Sequence, residues 1–373
     1  MPGKSVLVAM SGGVDSSVAA ALLKEQGYDV AGATMNLYNS CNSTNGEASP
    51  LFSDYLHSIS EKDAEAARDA AAKLGIRHYI FDLGEQFRED VIKNFVSSYI
   101  TGKTPNPCVI CNRKIKFGAF LEEALKLGFD MIATGHYAVN EFDVISGRHL
   151  LKKGADKSKD QAYVLYKLTQ EQLAQTLFPL GRMTKSEVRD VADKYGIDSR
   201  FRPESQDICF IRGEKYPEFI AKYTGLHPKG GKFTDREGRT LGYYEDGAAF
   251  TVGQRRGTGK GFGKRMYVIS KNVEEGRIIL GSEEDLYTSE FIVEDTNYIS
   301  IEEMPVQPLE ADVKTRYSQG AAKADIYIYT ADRDNCAKVV FRAPQRAVTP
   351  GQAAVFYDGD TVIGGGTVAC LQS

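Results

Sequence analysis

The sequence predicts an α/β protein with a doubly wound parallel sheet, followed by an all-β region. Short apolar runs typical of buried strands alternate with amphipathic helical runs as far as about residue 136. That alternation favours a parallel sheet that is covered by helices on both faces. After about residue 212 the helix signals fade, and from about residue 284 onward short alternating strands dominate, which is typical of a small barrel or sandwich.

The strands of the N-terminal part are predicted from short apolar runs that end at turn residues. They cover residues 5–10, 29–37, 77–83 and 129–136. The helices between them are predicted from apolar residues at helical spacing, from capping boxes and from glycines that follow the last turn. They cover residues 15–26, 60–74 and 114–127, and a further helix begins after Thr184 and ends at Gly196.

Two loops are predicted from composition, and four C-terminal strands from their alternating pattern. Residues 38–59 are rich in Asn, Ser and Gly and are predicted to form a flexible insertion, and RRGTGKGFGKR (255–265) is predicted to be a basic, Gly-rich loop. The C-terminal strands are predicted at ADVKTRY, ADIYIYT, AKVVFR and AAVFY.

Length and composition limit the class of protein. A chain of 373 residues is long enough for two or three domains. No run reaches the ~18 apolar residues of a membrane helix, and no signal peptide is recognisable, so we expect a cytoplasmic protein. The 6 cysteines are then expected to be thiols rather than a disulfide framework. The net charge of −4 argues against bulk nucleic-acid binding, although local basic patches still permit RNA contacts.

The strongest local motif is AMSGGVDSS (9–17), which follows the first strand and opens the first helix. Backbone N–H groups at a helix N-terminus, with glycines that permit close approach, form an anion site. The motif is not a Walker A loop, because no Gly-Lys-Ser/Thr follows. It resembles the PP-loop of ATP pyrophosphatases, which split ATP into AMP and pyrophosphate. That resemblance places Asp15 near the pyrophosphate and its Mg²⁺.

The pair Cys108 and Cys111 admits more than one interpretation. A structural zinc site needs about four ligands, and no second CxxC is present. With Cys209, three cysteines are available for an iron–sulfur cluster that leaves one iron open. The other interpretation is sulfur transfer, with Cys111 as a nucleophile whose pKa is expected to fall near cations and a helix N-terminus. Cys209 then carries or resolves a persulfide.

Several separated motifs together resemble the family of tRNA-specific 2-thiouridylases. They are SGGVDSS (11–17), TPNPCVICNRKIKF (104–117), ATGHYA (133–138), KDQAYVLYKL (159–168), SQDICFI (205–211), GQRRGTG (253–259), TRYSQ (315–319) and PGQAAVFY (350–357). The resemblance implies ATP-dependent thiolation at C2 of the wobble uridine of certain tRNAs. It also implies a PP-loop domain (1–212), a small central tRNA-contacting domain (213–283) and a C-terminal β-barrel (284–373).

The resemblance also implies the roles of individual residues. Cys111 is the nucleophile, and Cys209 carries the persulfide and forms a transient disulfide with Cys111. The implied ATP site consists of Ala9, Met10, Ser11, Gly12, Gly13, Val14, Asp15, Ser16, Met35 and Gly135. The target base is expected at Asn106, Pro107 and Cys108, and the tRNA at His136, Lys159, Asp160, Gln161, Arg316, Tyr317 and Gln352.

The chain departs from the family at Cys108, where many members carry Asp. A thiol acts less simply as an acid or base, and it leaves open a local disulfide or iron ligation. The expected partners are tRNA and a persulfide donor, either a sulfur-carrier protein or a cysteine desulfurase, and the enzyme is expected to be a monomer. Two alternatives remain at this point: a PP-loop ligase or amidating enzyme for a small metabolite, and a non-enzymatic CxxC redox or metal module.

Overall fold

The computed structural model describes residues 3–37, 50–197, 208–211, 215–225, 230–256, 265–272, 275–329 and 335–369. Side chains at the start of the second helix are described from residue 61 onward. Part of the predicted insertion (38–49), most of the Gly-rich loop (257–264), the boundary at residues 212–213, Cys41 and Cys370 lie outside the described residues.

The N-terminal part is built on a parallel sheet of five described strands in the order β3-β2-β1-β4-β7. These strands are β1 (Ser5–Ala9), β2 (Asp29–Asn36), β3 (Arg77–Asp82), β4 (Met131–Ala133) and β7 (Thr176–Leu177). β1 lies in the middle of this sheet, and Val6, Leu7 and Val8 are fully buried because helices cover both of its faces. The four predicted strands are confirmed, whereas β7 is too short to be detected by pattern.

Nine helices of the α type are present in the described ranges. They are α1 (Val14–Glu25), α2 (Pro50–Leu74), α3 (Gly84–Gln86), α4 (Lys93–Ile100), α5 (Pro107–Ile110), α6 (Phe120–Lys126), α7 (Gln170–Ala174), α8 (Lys185–Lys194) and α9 (Tyr216–Thr224). π-Helical segments, Phe87–Ile92 and Cys111–Ala119, join α3 to α4 and α5 to α6.

Two helix predictions are corrected by the structure. The predicted flexible insertion is helical over residues 50–59, since α2 begins at Pro50. Proline is well suited to a first helical turn, and LFSDYLHSI has apolar residues at helical spacing. The helix predicted from residue 114 begins at Pro107 instead, since proline is well suited to the first turn there too.

The central part forms a four-stranded sheet in the order β10-β11-β8-β9. Its strands are β8 (Gly231–Thr234), β9 (Thr240–Tyr244), β10 (Tyr267–Asn272) and β11 (Arg277–Gly281). Phe233, Phe250, Val268, Ile278 and Leu280 form its own small core.

The C-terminal part is a closed β-barrel, as predicted. Its strands are β12 (Tyr287–Tyr298), β13 (Leu309–Lys314), β14 (Ala322–Tyr329), β15 (Cys336–Arg346), β16 (Ala353–Asp358) and β17 (Thr361–Val368). Pairing of β12 with both β15 and β17 closes the ring. A hairpin from the N-terminal part, β5 (Ala138–Asp143) and β6 (Arg148–Lys153), joins this sheet beside β17.

No helix among the described residues is long and apolar enough to span a membrane.

Candidate active site

The loop after β1 provides an anion site at the start of α1. Gly12 adopts a left-handed conformation (φ +69°), which a side chain would disfavour, and Gly13 caps α1 without any side-chain hydrogen bond. The Ser16 hydroxyl donates to the Gly13 carbonyl (3.1 Å) and accepts from the Ser11 N–H (3.3 Å). Because no side chain caps the helix, the N–H groups of its first turn are available to an anion.

Gly135 and Met35 lie at the same edge of the sheet as this loop. β1 pairs with both β2 and β4, so the ends of these strands meet at the point where the strand order reverses. Gly135 follows β4, and a Cβ atom on it would lie 2.8 Å from the Asp15 carbonyl carbon and from the Ser16 nitrogen. Met35 is half-buried near the end of β2. The structure thus brings together the residues predicted to bind ATP.

Asp15 has partners that sequence analysis did not find. Its carboxylate accepts from the Tyr137 hydroxyl (2.7 Å) and from the Lys185 ammonium (2.7 and 2.9 Å). Tyr137 follows β4, and Lys185 is the first residue of α8, which follows β7. Recognition of β7 as a fifth parallel strand would have placed the next loop, and therefore Lys185, beside the PP-loop.

The three cysteines singled out from the sequence lie together. Cys108 is exposed in the first turn of α5, and Cys111 is buried one turn later. Cys209 packs against the same core cluster as Cys111. Cys108 and Cys209 are both close enough to influence the pKa of Cys111 electrostatically, as is Lys116. The fold therefore brings Cys209 to the CxxC pair from a distant part of the chain.

The predicted lowering of the Cys111 pKa is wrong. Cys111 does not open its helix, and its side chain is only 8% exposed. Burial raises the pKa of the Cys111 thiol to about 12, and the opposing effect of Lys116 is smaller. Burial also raises the pKa of Cys108, although its side chain keeps some exposed surface. Cys111 is therefore a thiol, not a preformed thiolate, near neutral pH.

This difference predicts how alkylation depends on pH. Because the thiolate is the reacting form, we expect Cys111 alkylation by iodoacetamide to keep accelerating from about pH 7 to 10 without a plateau. Peptide mass spectrometry would give the rates, with urea-unfolded protein as the control that levels off near the ordinary thiol pKa of about 8.5. A plateau for Cys111 below pH 8 in the folded protein would contradict the raised pKa.

The expected target-base residues precede the buried thiol. Asn106 occupies the position before α5, and Pro107 is its first residue. The chain before them is held by the barrel, since the Thr104 N–H donates to the Pro350 carbonyl (2.8 Å). The Gln352 side chain in turn donates to the Thr104 carbonyl (2.8 Å), so this expected tRNA residue supports the cysteine loop.

Two further expected tRNA residues, His136 and Arg316, make contacts within the protein. His136 is buried between Phe117 and Phe178, and burial keeps its pKa well below the usual value, so the ring is neutral. The Arg316 guanidinium donates to the Val252 and Ala347 carbonyls (3.1 and 2.8 Å), which joins the central part to the barrel. His136 is buried and Arg316 is partly buried, and for both the tRNA contact stays a prediction.

The other expected tRNA residues are joined along the chain and by a hydrogen bond, and we call them the ridge: Lys159, Asp160, Gln161 and Tyr317. The Asp160 carboxylate accepts from the Gly154 and Ala162 N–H groups (3.0 and 3.1 Å), which fixes the turn that begins before Lys159. The Gln161 N–H donates to the Tyr137 carbonyl (2.9 Å), and the Gln161 side-chain oxygen accepts from the Tyr137 N–H (3.0 Å). The half-exposed Tyr317 donates to the Asp160 carbonyl (3.0 Å). The ridge thus joins the barrel to the PP-loop.

An ion pair with one buried partner links the barrel to the chain near the cysteine helix. The Lys167 side chain is 3% exposed, and its ammonium pairs with Asp295 of β12. Asp295, which has a positive φ of 50°, also lies 3.6 Å from the guanidinium of Arg113, two residues after Cys111. Burial lowers the pKa of Lys167, and the nearby carboxylate compensates its charge.

We expect Asp295→Asn to destabilise the protein by about 1–3 kcal/mol, because it leaves the buried ammonium without a counter-charge. Asn tolerates the positive φ, so backbone strain stays constant. The control is Glu290→Gln on the same strand: Glu290 pairs with Lys338 and is 59% exposed, against 60% for Asp295. Scanning calorimetry would compare the stability of the two variants. An equal loss of stability in both would contradict a special role for the Lys167–Asp295 pair.

Among the described residues, no group of three His, Cys, Asp or Glu side chains is placed to hold a metal ion. The thiol cluster is therefore not arranged as a ligand set in this conformation.

Models of three protein families match the chain: the tRNA methyl transferase HUP domain over residues 4–213, the tRNA methyl transferase PRC-barrel domain over 217–282, and the aminomethyltransferase beta-barrel domain over 288–368. Two solved structures also match, a predicted subunit of tRNA methyltransferase from Methanocaldococcus jannaschii and NMN synthetase from Francisella tularensis. The first is 18% identical with a TM-score of 0.31, and the match covers 51% of this chain and 76% of the other. The second is 13% identical with a TM-score of 0.32, and the match covers 58% of this chain and 72% of the other.

The curated relatives are far more similar. The tRNA-specific 2-thiouridylase MnmA of Caldicellulosiruptor saccharolyticus is 46% identical over 98% of this chain and 98% of its own. Those of Halothermothrix orenii and Acetivibrio thermocellus are 48% and 45% identical, over 97% and 99% of this chain and 98% and 100% of theirs. Identity of this extent spans all three sheets, and the chain belongs to the MnmA family of tRNA-specific 2-thiouridylases.

Proposed function

We propose that the protein is an ATP-dependent sulfurtransferase that replaces the C2 oxygen of the wobble uridine of certain tRNAs with sulfur. The observation that carries this proposal is the juxtaposition of Cys209 with Cys111 within the predicted PP-loop domain, in a chain that matches 2-thiouridylases over nearly its whole length. Membership of this family makes the protein an enzyme rather than a CxxC binding module.

The first step proposed is adenylation. The C2 oxygen of the uridine attacks the α-phosphorus of ATP, N3 of the base loses its proton, and pyrophosphate leaves. The uncapped first turn of α1 supports this step, because its N–H groups suit phosphate oxygens. Gly135 and Met35 line the same edge of the sheet and are proposed to contact the adenosine.

Magnesium is proposed to accompany ATP at Asp15. Mg²⁺ is commonly held by one or two carboxylates together with substrate phosphates, and Asp15 is the carboxylate in the first turn of α1. When bound, the ion would neutralise charge on the phosphates.

The second step proposed is sulfur transfer. Cys209 receives a sulfane sulfur from a donor protein as a persulfide. Cys111 loses its proton and attacks the Cys209 sulfur, a disulfide forms between the two, and hydrosulfide leaves. Hydrosulfide adds to C2, AMP leaves, and the hydrosulfide proton returns to N3. An external dithiol then reduces the disulfide.

Lys116 is the cation that supports Cys111 in this step. It lowers the pKa of Cys111 but does not overcome burial in the free protein. We propose that Cys111 loses its proton only as it attacks the Cys209 sulfur, with Lys116 stabilising the negative charge that develops. Cys108 is proposed to lie beside the base, where its thiol replaces the Asp carboxylate that many family members carry.

The tRNA is proposed to lie across the ridge that joins the barrel to the PP-loop domain. Tyr317 is its exposed member, and a half-exposed aromatic ring suits stacking against an unpaired base. We further propose that one copy of the chain is sufficient, since both cysteines and the PP-loop come from the same polypeptide.

The test is a thiolation assay with total tRNA, ATP, Mg²⁺ and a persulfide donor, read by nucleoside mass spectrometry. Metal-free protein is compared with protein reconstituted anaerobically with iron and sulfide. 2-Thiouridine from the metal-free protein supports the persulfide route. Product only after iron is supplied would reassign the three cysteines as cluster ligands, and no product in either arm would overturn the proposed function.

A further inference from the structure

Arg316 follows β13, and one nitrogen of its guanidinium, Nη2, lies among three acceptors. Nη2 donates to the Val252 carbonyl (3.1 Å), the Ala347 carbonyl (2.8 Å) and the Thr349 hydroxyl (2.7 Å). A charged donor makes stronger hydrogen bonds than a neutral one, and this side chain is partly buried. Arg316 therefore ties a loop of the central part to residues 347–352 of the barrel, here called the barrel turn.

The central part approaches the barrel turn closely at this point. Gly253 has a left-handed φ of +89°, and a Cβ atom on it would lie 2.9 Å from the Ala347 Cβ. The Gly253 N–H donates to the Val268 carbonyl (2.8 Å) of β10, which fixes the loop to the central sheet. Ala347 also has a left-handed φ, 56°, which a residue with a Cβ atom keeps only where its surroundings hold it. The hydrogen bond from Arg316 to the Ala347 carbonyl thus stabilises a strained residue at the contact.

The barrel turn also holds the cysteine loop that leads into α5. Both backbone groups of Thr104 are bonded, since its N–H donates to the Pro350 carbonyl and its carbonyl accepts from the Gln352 side chain, each at 2.8 Å. Gly351 permits this approach, because a Cβ atom on it would lie 2.9 Å from the Thr104 nitrogen. Pro105 comes next, and proline has a fixed φ. A displacement of Thr104 is therefore passed on to the start of α5.

We propose that Arg316 is a positioning residue for thiolation, which holds the barrel turn against the central part and through that turn sets the position of the target-base residues. The proposal rests on the proposed function and adds a residue that acts through others. Arg316 acts on the turn, the turn acts on Thr104, and Thr104 determines where Asn106 and Pro107 lie. Docking of the central part and the geometry at the target base are then linked through one side chain.

The competing explanation is a direct contact between Arg316 and a tRNA phosphate. Loss of one phosphate contact weakens tRNA binding and lowers the slope of log affinity against log salt by about 1. Loss of a positioning residue slows the reaction of the bound complex and leaves the affinity and its salt slope as they were. The two explanations therefore differ in whether the defect disappears at saturating tRNA.

The first experiment compares Arg316→Met, Thr349→Val and the control Arg342→Met. Arg342 lies on β15, is 48% exposed and pairs with Asp325 (3.1 Å). We expect Arg316→Met to slow 2-thiouridine formation in a single turnover with saturating tRNA and ATP by roughly 100-fold, the typical cost of a displacement of about 1 Å. The tRNA affinity should stay within about twofold, with an unchanged salt slope.

Thr349→Val tests the same link without a change of charge. Thr349 is 1% exposed, so its hydroxyl acts within the protein and not on tRNA. We expect this variant to slow the same single turnover by about fivefold, which corresponds to the loss of one ordinary hydrogen bond. Arg342→Met should match the wild type. A wild-type rate at saturating tRNA in Arg316→Met, whether or not its salt slope falls, would overturn the positioning role.

The second experiment needs neither tRNA nor ATP. Backbone hydrogen exchange is measured by mass spectrometry on fragments that isolate the Thr104 N–H. We expect Arg316→Met to accelerate exchange of this N–H at least about tenfold and to leave the N–H groups of β1 unchanged, because only the barrel turn loses its support.

Two results of the exchange experiment would overturn the proposal. Unchanged exchange at Thr104 would show that Arg316 does not act on the cysteine loop, and equal acceleration in β1 would show only a general loss of stability. Faster exchange at Thr104 alone, in a protein that makes no 2-thiouridine, would uphold the link from Arg316 to Thr104 and overturn the tRNA-thiolating function instead.

Discussion

We expect Cys111→Ser and Cys209→Ser each to abolish 2-thiouridine formation while tRNA binding stays within about twofold. A serine hydroxyl is a far weaker nucleophile than a thiolate at neutral pH and cannot carry a persulfide. Removal of either cysteine should therefore lower the rate of 2-thiouridine formation at least about 1,000-fold, as is usual for residues that act as a unit. Nucleoside mass spectrometry measures the product, and a filter-binding assay measures the tRNA complex.

The matched control is Cys336→Ser. Cys336 is also buried, but it lies in β15 of the barrel, far from the PP-loop in sequence, and we expect full activity. Normal thiolation by either of the other two variants would remove the persulfide route. AMP release should persist in Cys209→Ser, because adenylation precedes sulfur transfer.

The second large effect is expected for Gly135→Ala. The added methyl group would lie 2.8 Å from backbone atoms of Asp15 and Ser16, a distance that real Cβ contacts do not show. Backbone atoms cannot move aside as a flexible side chain can, so the PP-loop itself must shift. Displacement of reacting groups by about 1 Å can cost roughly 100-fold, and we expect ATP-dependent AMP formation to fall by that factor.

Gly320→Ala serves as the control for this substitution. Gly320 has an ordinary φ and no atom within 4 Å of the added methyl group. AMP release should be unchanged in this variant, and tRNA binding should persist in both. A Gly135→Ala enzyme with wild-type AMP release would show that the β4 edge does not control the nucleotide loop.

The sequence predicted the sheet well because its strands are continuous apolar runs. β1, β2, β3 and β4 all fall inside the predicted segments, and α8 begins at the predicted capping box. β7 was missed because two residues carry no pattern, and with it the route to Lys185 was lost. The start of α2 at Pro50 was missed because its polar residues suggested a loop.

The fold brings the two predicted catalytic cysteines together, but the sequence did not reveal the electrostatics around them. Motifs identified Cys111 and Cys209, and the fold brings both into one cluster. The direction of the Cys111 pKa shift was wrong, since burial depends on packing by distant segments that local charge patterns do not reveal. The partners of Asp15, Tyr137 and Lys185, come from other strands and helices for the same reason.

The contact between Thr104 and the turn at Pro350 and Gln352 has a consequence during synthesis. The ribosome makes the cysteine loop long before it makes the turn that holds it. A nascent chain that has completed its PP-loop domain still lacks the support for Asn106, Pro107 and Cys108. Prematurely terminated chains would therefore lack the hydrogen bonds that hold Thr104, and with them part of the support for the cysteine loop.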